Sequence, residues 1–233
     1  MLKLQQKTRW PSPPSKYYKV AMNQYKGIII NEGAENYATD GLGSFIGKEI
    51  TILRNSYSSA DYKDVLISII DYVLQNKVVI SQEQTIAYFS WILQFIESDR
   101  GVYELWEAKP DGTGYHRGTD HAINVKLAQE KECEKLGVKP VFPTFSQNIV
   151  ISEGVYEGMP IDAIRYPSPT HMTGWWLTTD LYDNNIDSLM NVHFFHVAFK
   201  RPDILKLLAL PFGHRFHVDQ KGSEVWLDKK ILD

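Results

Sequence analysis

The sequence predicts an α+β protein built from two parts. The N-terminal part is expected to contain a helix pair with short strands, and the C-terminal part a mostly antiparallel sheet with one short helix. Apolar residues recur at helical spacing between residues 58 and 96, which predicts the helices. Short β-branched and aromatic runs, separated by glycine and proline turns, follow residue 148 and predict the sheet.

Composition limits the class of protein. Of the 233 residues, 43% are apolar and 23% are charged, as in ordinary globular domains. The formal net charge of -3 argues against nucleic-acid binding, which usually needs a basic patch. No apolar run approaches the ~20 residues of a membrane helix, and the first residues lack an apolar signal run. We therefore expect a cytoplasmic protein with neither a nucleic-acid nor a membrane partner.

Residues 1–16 are predicted to form an extended arm, because their three prolines disfavour helix. An N-terminal α+β domain is expected over residues 17–147, opening with strands at 17–22 and 27–31. Its segment 41–43, Gly-Leu-Gly, resembles part of a phosphate loop. The segment lacks both the dinucleotide spacing and the Walker lysine, so it indicates a plain loop.

Two helices are predicted in the middle of this domain. Ser58 or Ser59 caps the first, whose apolar residues follow i, i+4 spacing. Ser81 caps the second, with Gln84 three residues later completing a capping box, and its apolar stripe runs to Ile96. The short link between the two helices favours their packing as a pair.

A strand at 101–108 and a third helix at 119–136 are expected next. The many charged residues of this helix predict a surface position. Cys133 lies on it and is the only cysteine of the chain, which excludes an internal disulfide and a zinc site of several thiolates. No histidine is adjacent to it in the sequence, so we expect no nucleophilic role. A single cysteine also fits a reducing compartment.

A C-terminal α+β domain is predicted over residues 148–233. It carries 11 acidic and 8 basic residues, so the whole excess of negative charge lies in it. Its predicted strands are 148–152, 161–166, the stretch around Trp175 and Trp176, 191–199, 215–218 and 224–227, with a short helix from residue 201.

The adjacent Trp175 and Trp176 are the central feature of this domain. Successive side chains of a strand point to opposite faces, so one tryptophan is expected in a core and the other outside. An outward tryptophan beside the acidic loop 180–187 could anchor a protein contact, because tryptophan is enriched at binding hot spots. Burial of both, on either side of a covered sheet, is the alternative.

No pattern of metal ligands or catalytic residues is complete. His193 and His196 are three apart on a predicted strand, which places them on opposite faces. Asp180, Asp183 and Asp187 resemble a calcium loop in residue type, but the EF-hand glycine and the closing glutamate are missing. We therefore expect no metal, no cofactor and no catalytic residue. The acidic loop is then either a solvated turn or a docking surface for a basic partner.

Seven short motifs follow one another in the C-terminal domain. They are Ile149-Val150-Ile151-Ser152, Glu157-Gly158, Ile164-Arg165-Tyr166, Thr173-Gly174-Trp175-Trp176, Asp183-Asn184-Asn185-Ile186-Asp187, residues 191–199, and Pro211-Phe212-Gly213-His214-Arg215-Phe216. Their order resembles the immunity-protein domain thirty-three family of bacterial polymorphic toxin systems, over about residues 148–218. The sequence departs from that pattern after the arginine, where acidic residues often follow, and in its second tryptophan.

The resemblance implies an immunity protein that binds and neutralises a cognate antibacterial toxin or effector by direct contact, without catalysis. Type VI secretion is a delivery route that the resemblance suggests for the toxin, and a homodimer is compatible with it. The toxin-binding candidates are Trp175, Trp176, Asp180, Tyr182, Asp183 and Asp187. Two alternatives stay open: a small metal-dependent hydrolase using His171, His193 or His196, and a regulatory scaffold whose partner is not a toxin.

Overall fold

The computed structural model describes residues 23–232. They form two compact units, the first ending at Asn124 and the second beginning at Val125. The predicted arm and the predicted strand 17–22 lie outside the described residues. The domain division predicted at residue 148 stays a prediction. No helix in the described range is both long and apolar enough to cross a membrane.

The first unit is built on an eight-stranded sheet. Its strand order is β1-β2-β3-β4-β7-β6-β5, with β8 paired to β7, and among the described pairs of this sheet only β4–β7 is parallel. In chain order the elements are β1 (Gln24–Tyr25), β2 (Ile28–Glu32), β3 (Asn36–Asp40), α1 (Gly43–Ile46), β4 (Ile50–Leu53), α2 (Ser59–Asn76), β5 (Thr85–Tyr88), β6 (Trp91–Glu97), β7 (Tyr103–Ala108) and β8 (Tyr115–Arg117). Helix α3 (Asp120–Lys135) begins in this unit and continues into the second.

Helix α2 follows the pattern seen in the sequence. Ser58 is its N-cap, and Ser58 and Asp61 form a reciprocal capping box, which satisfies two of the free backbone N–H groups at the helix start. Its apolar stripe, including Val65, Leu66 and Ile70, is buried and packs on the sheet at β2 and β3.

The predicted helix pair is wrong, because residues 81–97 form a hairpin of β5 and β6 instead of a helix. Ser81 and Gln84 do interact: the Ser81 backbone N–H donates to Gln84 Oε1 across 3.0 Å, and the Gln84 N–H donates to the Ser81 carbonyl across 3.1 Å. These bonds close a turn that leads into β5. The N-terminal part is therefore mainly strands, and its sheet is far more extensive than the predicted short strands.

The loop at residues 41–43 is occupied by a side chain of the protein, the Glu49 carboxylate. The backbone N–H groups of Gly41, Leu42 and Gly43 all donate to the Glu49 carboxylate, across 2.9, 3.1 and 2.8 Å. The Thr39 hydroxyl donates to the same carboxylate across 2.7 Å. The loop thus holds an internal anion with the donors that a phosphate loop would use.

The second unit contains a six-stranded sheet of order β12-β9-β11-β10-β13-β14. Its β9–β11 pair is parallel, and the other described pairs are antiparallel. After α3 the elements are β9 (Asn148–Ile151), β10 (Ile161–Arg165), β11 (Met172–Thr178), β12 (Met190–His193), α4 (Phe194–Lys200), β13 (His214–Asp219) and β14 (Gly222–Leu227), with 3-10 turns at Ile186–Ser188, Leu205–Leu207 and Lys229–Ile231.

Two expectations for this unit are corrected. The strand predicted at 191–199 ends at His193, which becomes the N-cap of helix α4. The helix predicted from residue 201 is only the 3-10 turn at Leu205–Leu207. Cys133, on a helix predicted to be superficial, is fully buried, and its thiol lies 3.5 Å from the Ala209 carbonyl oxygen.

Candidate functional site

Strand β11 places Trp175 and Trp176 on opposite sides of the second sheet. Trp175 is fully buried, its indole Nε1 donates to the Leu208 carbonyl oxygen across 2.8 Å, and its ring centroid lies 4.9 Å from that of Phe216. The indole ring is therefore part of the core and is not available to a partner in this structure. Trp176 is half-buried on the other side of the strand.

Arg165 supports the buried side of this strand pair. It is 2% exposed, and its guanidinium donates through Nε to the Thr173 carbonyl across 2.9 Å and through one terminal nitrogen to the carbonyls of Val141, Leu208 and Leu210. Burial lowers the pKa of Arg165 to about 9, so the group is still a cation at neutral pH. Carbonyl oxygens solvate this charge, and the arginine joins β11 to Val141 and to the segment 208–210.

Gly174, directly before the two tryptophans, lets the backbone of β11 approach the backbone at Tyr166 closely. Its φ is +82°, and a Cβ atom there would lie 2.3 Å from the Tyr166 carbonyl oxygen. Glycine is the residue that accepts both conditions. The same region contains the register shift of β11 against β9, between Met172 and Trp176.

Trp176 lies on the outer face of the sheet with other aromatic and apolar groups. Its ring meets Tyr166 edge to face, with centroids 5.7 Å apart. Strand register places Ile164 directly beside Trp176, then Arg215 beside Ile164, and Trp226 beside Arg215. Trp226 is 42% exposed and Tyr166 is 37% exposed. We call this set the outer row; sequence reasoning missed its members on β13 and β14, although period-2 alternation along those strands could have indicated them.

The acidic loop has a defined shape. The Asp183 carboxylate accepts from the Asn185 backbone N–H across 2.9 Å and from the Ser188 hydroxyl across 3.1 Å. The Asn185 side chain in turn accepts from the Asp187 N–H and caps the 3-10 turn, while Asn184 has a φ of 64°. Asp183 is therefore a structural acceptor of the loop as well as a charge.

The surface of this loop combines carboxylates with apolar side chains. Leu181, Ile186 and Met190 are 52%, 63% and 41% exposed. Asp180, Asp183 and Asp187 are exposed, and Tyr182 is half-buried. Within residues 23–232, none of these three carboxylates forms a salt bridge, whereas Asp203 and Asp228 are paired with arginines. We call Leu181, Ile186 and Met190 with the three aspartates the loop surface.

The histidines are arranged differently from the prediction. His193 and His196 lie at the start of α4 and not on opposite faces of a strand, and their ring centroids are 6.4 Å apart. Burial, and then the neighbouring His193, lower the pKa of His196. His171 is exposed on the segment before β11. Over the described part of the chain, no three His, Cys, Asp or Glu side chains form a group that could hold a metal ion.

A polar network in the first unit also escaped the sequence reasoning. The buried Glu107 carboxylate accepts from the backbone N–H groups of His121 and Ala122, across 3.0 and 2.7 Å, and lies 3.1 Å from His116 Nε2. Burial raises the pKa of Glu107 and lowers that of His121 to about 4. The carboxylate thus acts as an internal partner for the first turn of α3.

Comparison with known proteins identifies the second unit. The family model of the Imm33-like domain matches residues 128–228, a range that contains every strand of the six-stranded sheet. Residues 128–228 therefore match the domain model of an immunity-protein family. No curated protein and no solved structure matches the chain.

Proposed function

We propose that this protein binds a cognate antibacterial toxin or effector through its Imm33-like domain and neutralises it by direct contact, without catalysis. The observation that carries the proposal is the loop surface, which presents three exposed aliphatic side chains among three carboxylates that have no basic partner in the described chain. An apolar centre with a charged rim is the usual composition of a protein interface.

The sign of the charge defines the partner. Asp180, Asp183 and Asp187 face solvent without a compensating cation, so a basic toxin surface would approach faster and with a fixed orientation. The loop is held in shape by its own hydrogen bonds, which reduces the entropy lost on binding. Trp176 and Tyr182 extend the candidate interface, while Trp175 supports it from the core.

We place the encounter in the cytoplasm and propose that the toxin is an effector delivered by a type VI secretion system. Both statements rest on the immunity-protein family of the domain. An immunity protein of this kind protects its own cell by occupying the toxin before the toxin reaches its target.

The test begins with the partner. The tagged full chain is purified from its native host, and a partner that copurifies in stoichiometric amount is identified by mass and assayed for toxicity. Binding is then measured for wild type and for the double variant Asp180→Lys, Asp187→Lys. These carboxylates accept no hydrogen bond among the described residues, so the change reverses charge without breaking the loop.

We expect the double variant to lose about 10- to 100-fold in affinity, and the host cell to lose protection in proportion. The matched control is Asp99→Lys with Glu134→Lys, two exposed carboxylates outside the loop surface, which should bind as wild type does. Equal affinity of the double variant and wild type would remove the loop surface from the interface. A partner without toxicity, or no partner, would contradict the proposed function.

A further inference from the structure

The outer face of the six-stranded sheet carries a second row of side chains beside the outer row. Register places Asp162 opposite both Thr178 and His217, and His217 opposite Glu224. His217 Nδ1 lies 2.9 Å from Asp162 Oδ1, and its Nε2 lies 3.9 Å from Asp219 Oδ2. Three carboxylates therefore surround one histidine on this face; we call Asp162, His217, Asp219 and Glu224 the acidic row.

The two rows are adjacent on one face because their members alternate by two along each strand. On β10, Asp162 of the acidic row lies two residues before Ile164 of the outer row. On β14, Trp226 and Glu224 have the same relationship. Side chains of both rows reach solvent: Asp162 is 63% and His217 37% exposed along the side chain. The face therefore offers flat aromatic rings next to carboxylates.

We propose that this sheet face binds an arginine-bearing segment of a protein partner, with guanidinium groups over Trp176 and Trp226 and in contact with the acidic row. The inference names the chemistry of the partner and rests on the proposed function, in which the domain binds a protein. Charge complementarity fixes the occupant, since three carboxylates, Asp162, Asp219 and Glu224, lie around the single histidine His217. Arg215, the cation of the outer row, is already paired with Asp228 across 3.0 Å.

Arginine fits this face better than lysine. A guanidinium is planar, stacks on an indole ring and donates to a carboxylate through two parallel N–H groups. The two rows lie two residues apart along each strand, about 6.8 Å, which leaves room for one guanidinium between a ring of the outer row and a carboxylate of the acidic row. A lysine ammonium satisfies the charge but not the stacking.

His217 makes the binding depend on pH. The hydrogen bond that His217 donates to Asp162 raises the pKa of His217 above its ordinary 6.5, and the facing groups are Asp162 on β10, Asp219 on its own strand, Glu224 on β14 and the neutral Thr178 on β11. When His217 is protonated, its positive charge offsets the charge of one carboxylate and repels a guanidinium. Affinity for an arginine segment should therefore rise about three- to tenfold as pH increases through this pKa.

The experiment uses the full chain and a synthetic peptide that alternates arginine with valine. The control peptide carries citrulline in place of arginine, which keeps the shape and removes the charge. Binding is followed by calorimetry and by the NMR signals of the tryptophan indoles. We expect the arginine peptide to bind at least tenfold more tightly than the citrulline peptide and to shift the signals of Trp176 and Trp226.

Variants locate the site. Asp162→Asn and Trp226→Ala should each reduce affinity about three- to tenfold, and His217→Gln should remove the pH dependence while the protein stays folded. The control variant Asp99→Lys, Glu134→Lys, outside both surfaces, should bind the peptide as wild type does.

Three outcomes overturn the inference: equal binding of the two peptides, no loss of affinity in the sheet variants, or an equal loss in the Asp99→Lys, Glu134→Lys control. None of them alters the result of the toxin capture, which is measured separately. Conversely, capture of a harmless partner would contradict the immunity function while leaving an arginine-binding face in place.

Discussion

The indole Nε1 of Trp175 donates to the carbonyl oxygen of Leu208 across 2.8 Å, so the ring is held in the core by both packing and a hydrogen bond. Its neighbour Trp176 contacts Tyr166 on the opposite, half-exposed side. The two residues are adjacent in sequence, but only Trp175 is part of the core.

Replacing each tryptophan separately should show this division. Trp175→Ala is expected to lower the free energy of unfolding by about 3–5 kcal/mol, because it leaves a cavity and removes one of the two hydrogen bonds to the Leu208 carbonyl. Trp176→Ala should cost only about 1 kcal/mol, mainly through the lost contact with Tyr166. Urea unfolding followed by circular dichroism measures both. Similar losses for the two variants would contradict the assignment of Trp176 to the surface.

Gly174 should tolerate no side chain, and Gly158 provides a matched control. Both have a φ of +82°, but nothing lies within 4 Å of a Cβ atom at Gly158. Gly158→Ala should therefore cost only the backbone strain of about 1 kcal/mol. Gly174→Ala adds the collision with the Tyr166 carbonyl oxygen and should cost a further 1–3 kcal/mol or so. Equal destabilisation would show that the strand moves aside without penalty.

Sequence patterns predicted the elements whose signals are local. Helix α2 has both its capping box and its apolar stripe, and its buried face follows from them. The alternation of Trp175 and Trp176 likewise follows from strand geometry alone. The Imm33-like domain was predicted from the order of its motifs, and the family match confirms it.

Predictions failed where one local sequence pattern is compatible with both a helix and a strand. Between residues 81 and 97, Ser81 and Gln84 interact as a helix start would require, yet the chain turns at Phe89. Phe89 has a φ of 51°, an unusual conformation for a phenylalanine, and no glycine or asparagine marks this hairpin turn. Pairing of β6 with β7 then decides the outcome, and such a long-range contact is not visible in a short window.

Only part of the candidate site could be predicted from the sequence, again because long-range strand pairing is not encoded in a short segment. The acidic loop is one continuous segment, so its charges could be read directly from the sequence. The outer row and the acidic row are assembled from strands that are distant in the chain, β10, β11, β13 and β14. Their members meet only through strand register, which the sequence pattern does not specify.

His121 should make the protein less stable in mild acid. Burial lowers its folded pKa to about 4, while the unfolded side chain titrates near 6.5, so between these values the unfolded state binds the extra proton. Stability is therefore retained above pH 6.5 and falls as pH decreases towards 4. His121→Phe keeps the ring against Trp91, whose centroid is 4.4 Å away, and cannot be protonated.

The difference between wild type and His121→Phe isolates this effect from the titration of Glu107, whose raised pKa acts in the opposite direction. We expect the unfolding midpoint in urea to fall more steeply for wild type than for the variant between pH 6.5 and 4. Parallel pH profiles would show that His121 is protonated in the folded protein.

Glu49 should be required for the loop at residues 41–43. Glu49→Ala leaves three backbone N–H groups and the Thr39 hydroxyl without their acceptor and should cost about 2–3 kcal/mol. Glu49→Gln keeps one acceptor oxygen and should cost about half as much. Hydrogen exchange at Gly41 and Gly43 should accelerate in the same order. Unchanged exchange rates in the alanine variant would show that the loop holds its shape without the carboxylate.

The position of β9 between β11 and β12 in the second sheet has a consequence for the order of folding. The β13–β14 hairpin closes through a very short link, whereas β9 obtains its antiparallel partner β12 only about forty residues later in the chain. Hairpins with short loops form quickly, and pairings with large sequence separation form slowly. We therefore expect the aromatic outer row to assemble first at its β13–β14 end, and β9 to be inserted as the final step that makes the sheet continuous.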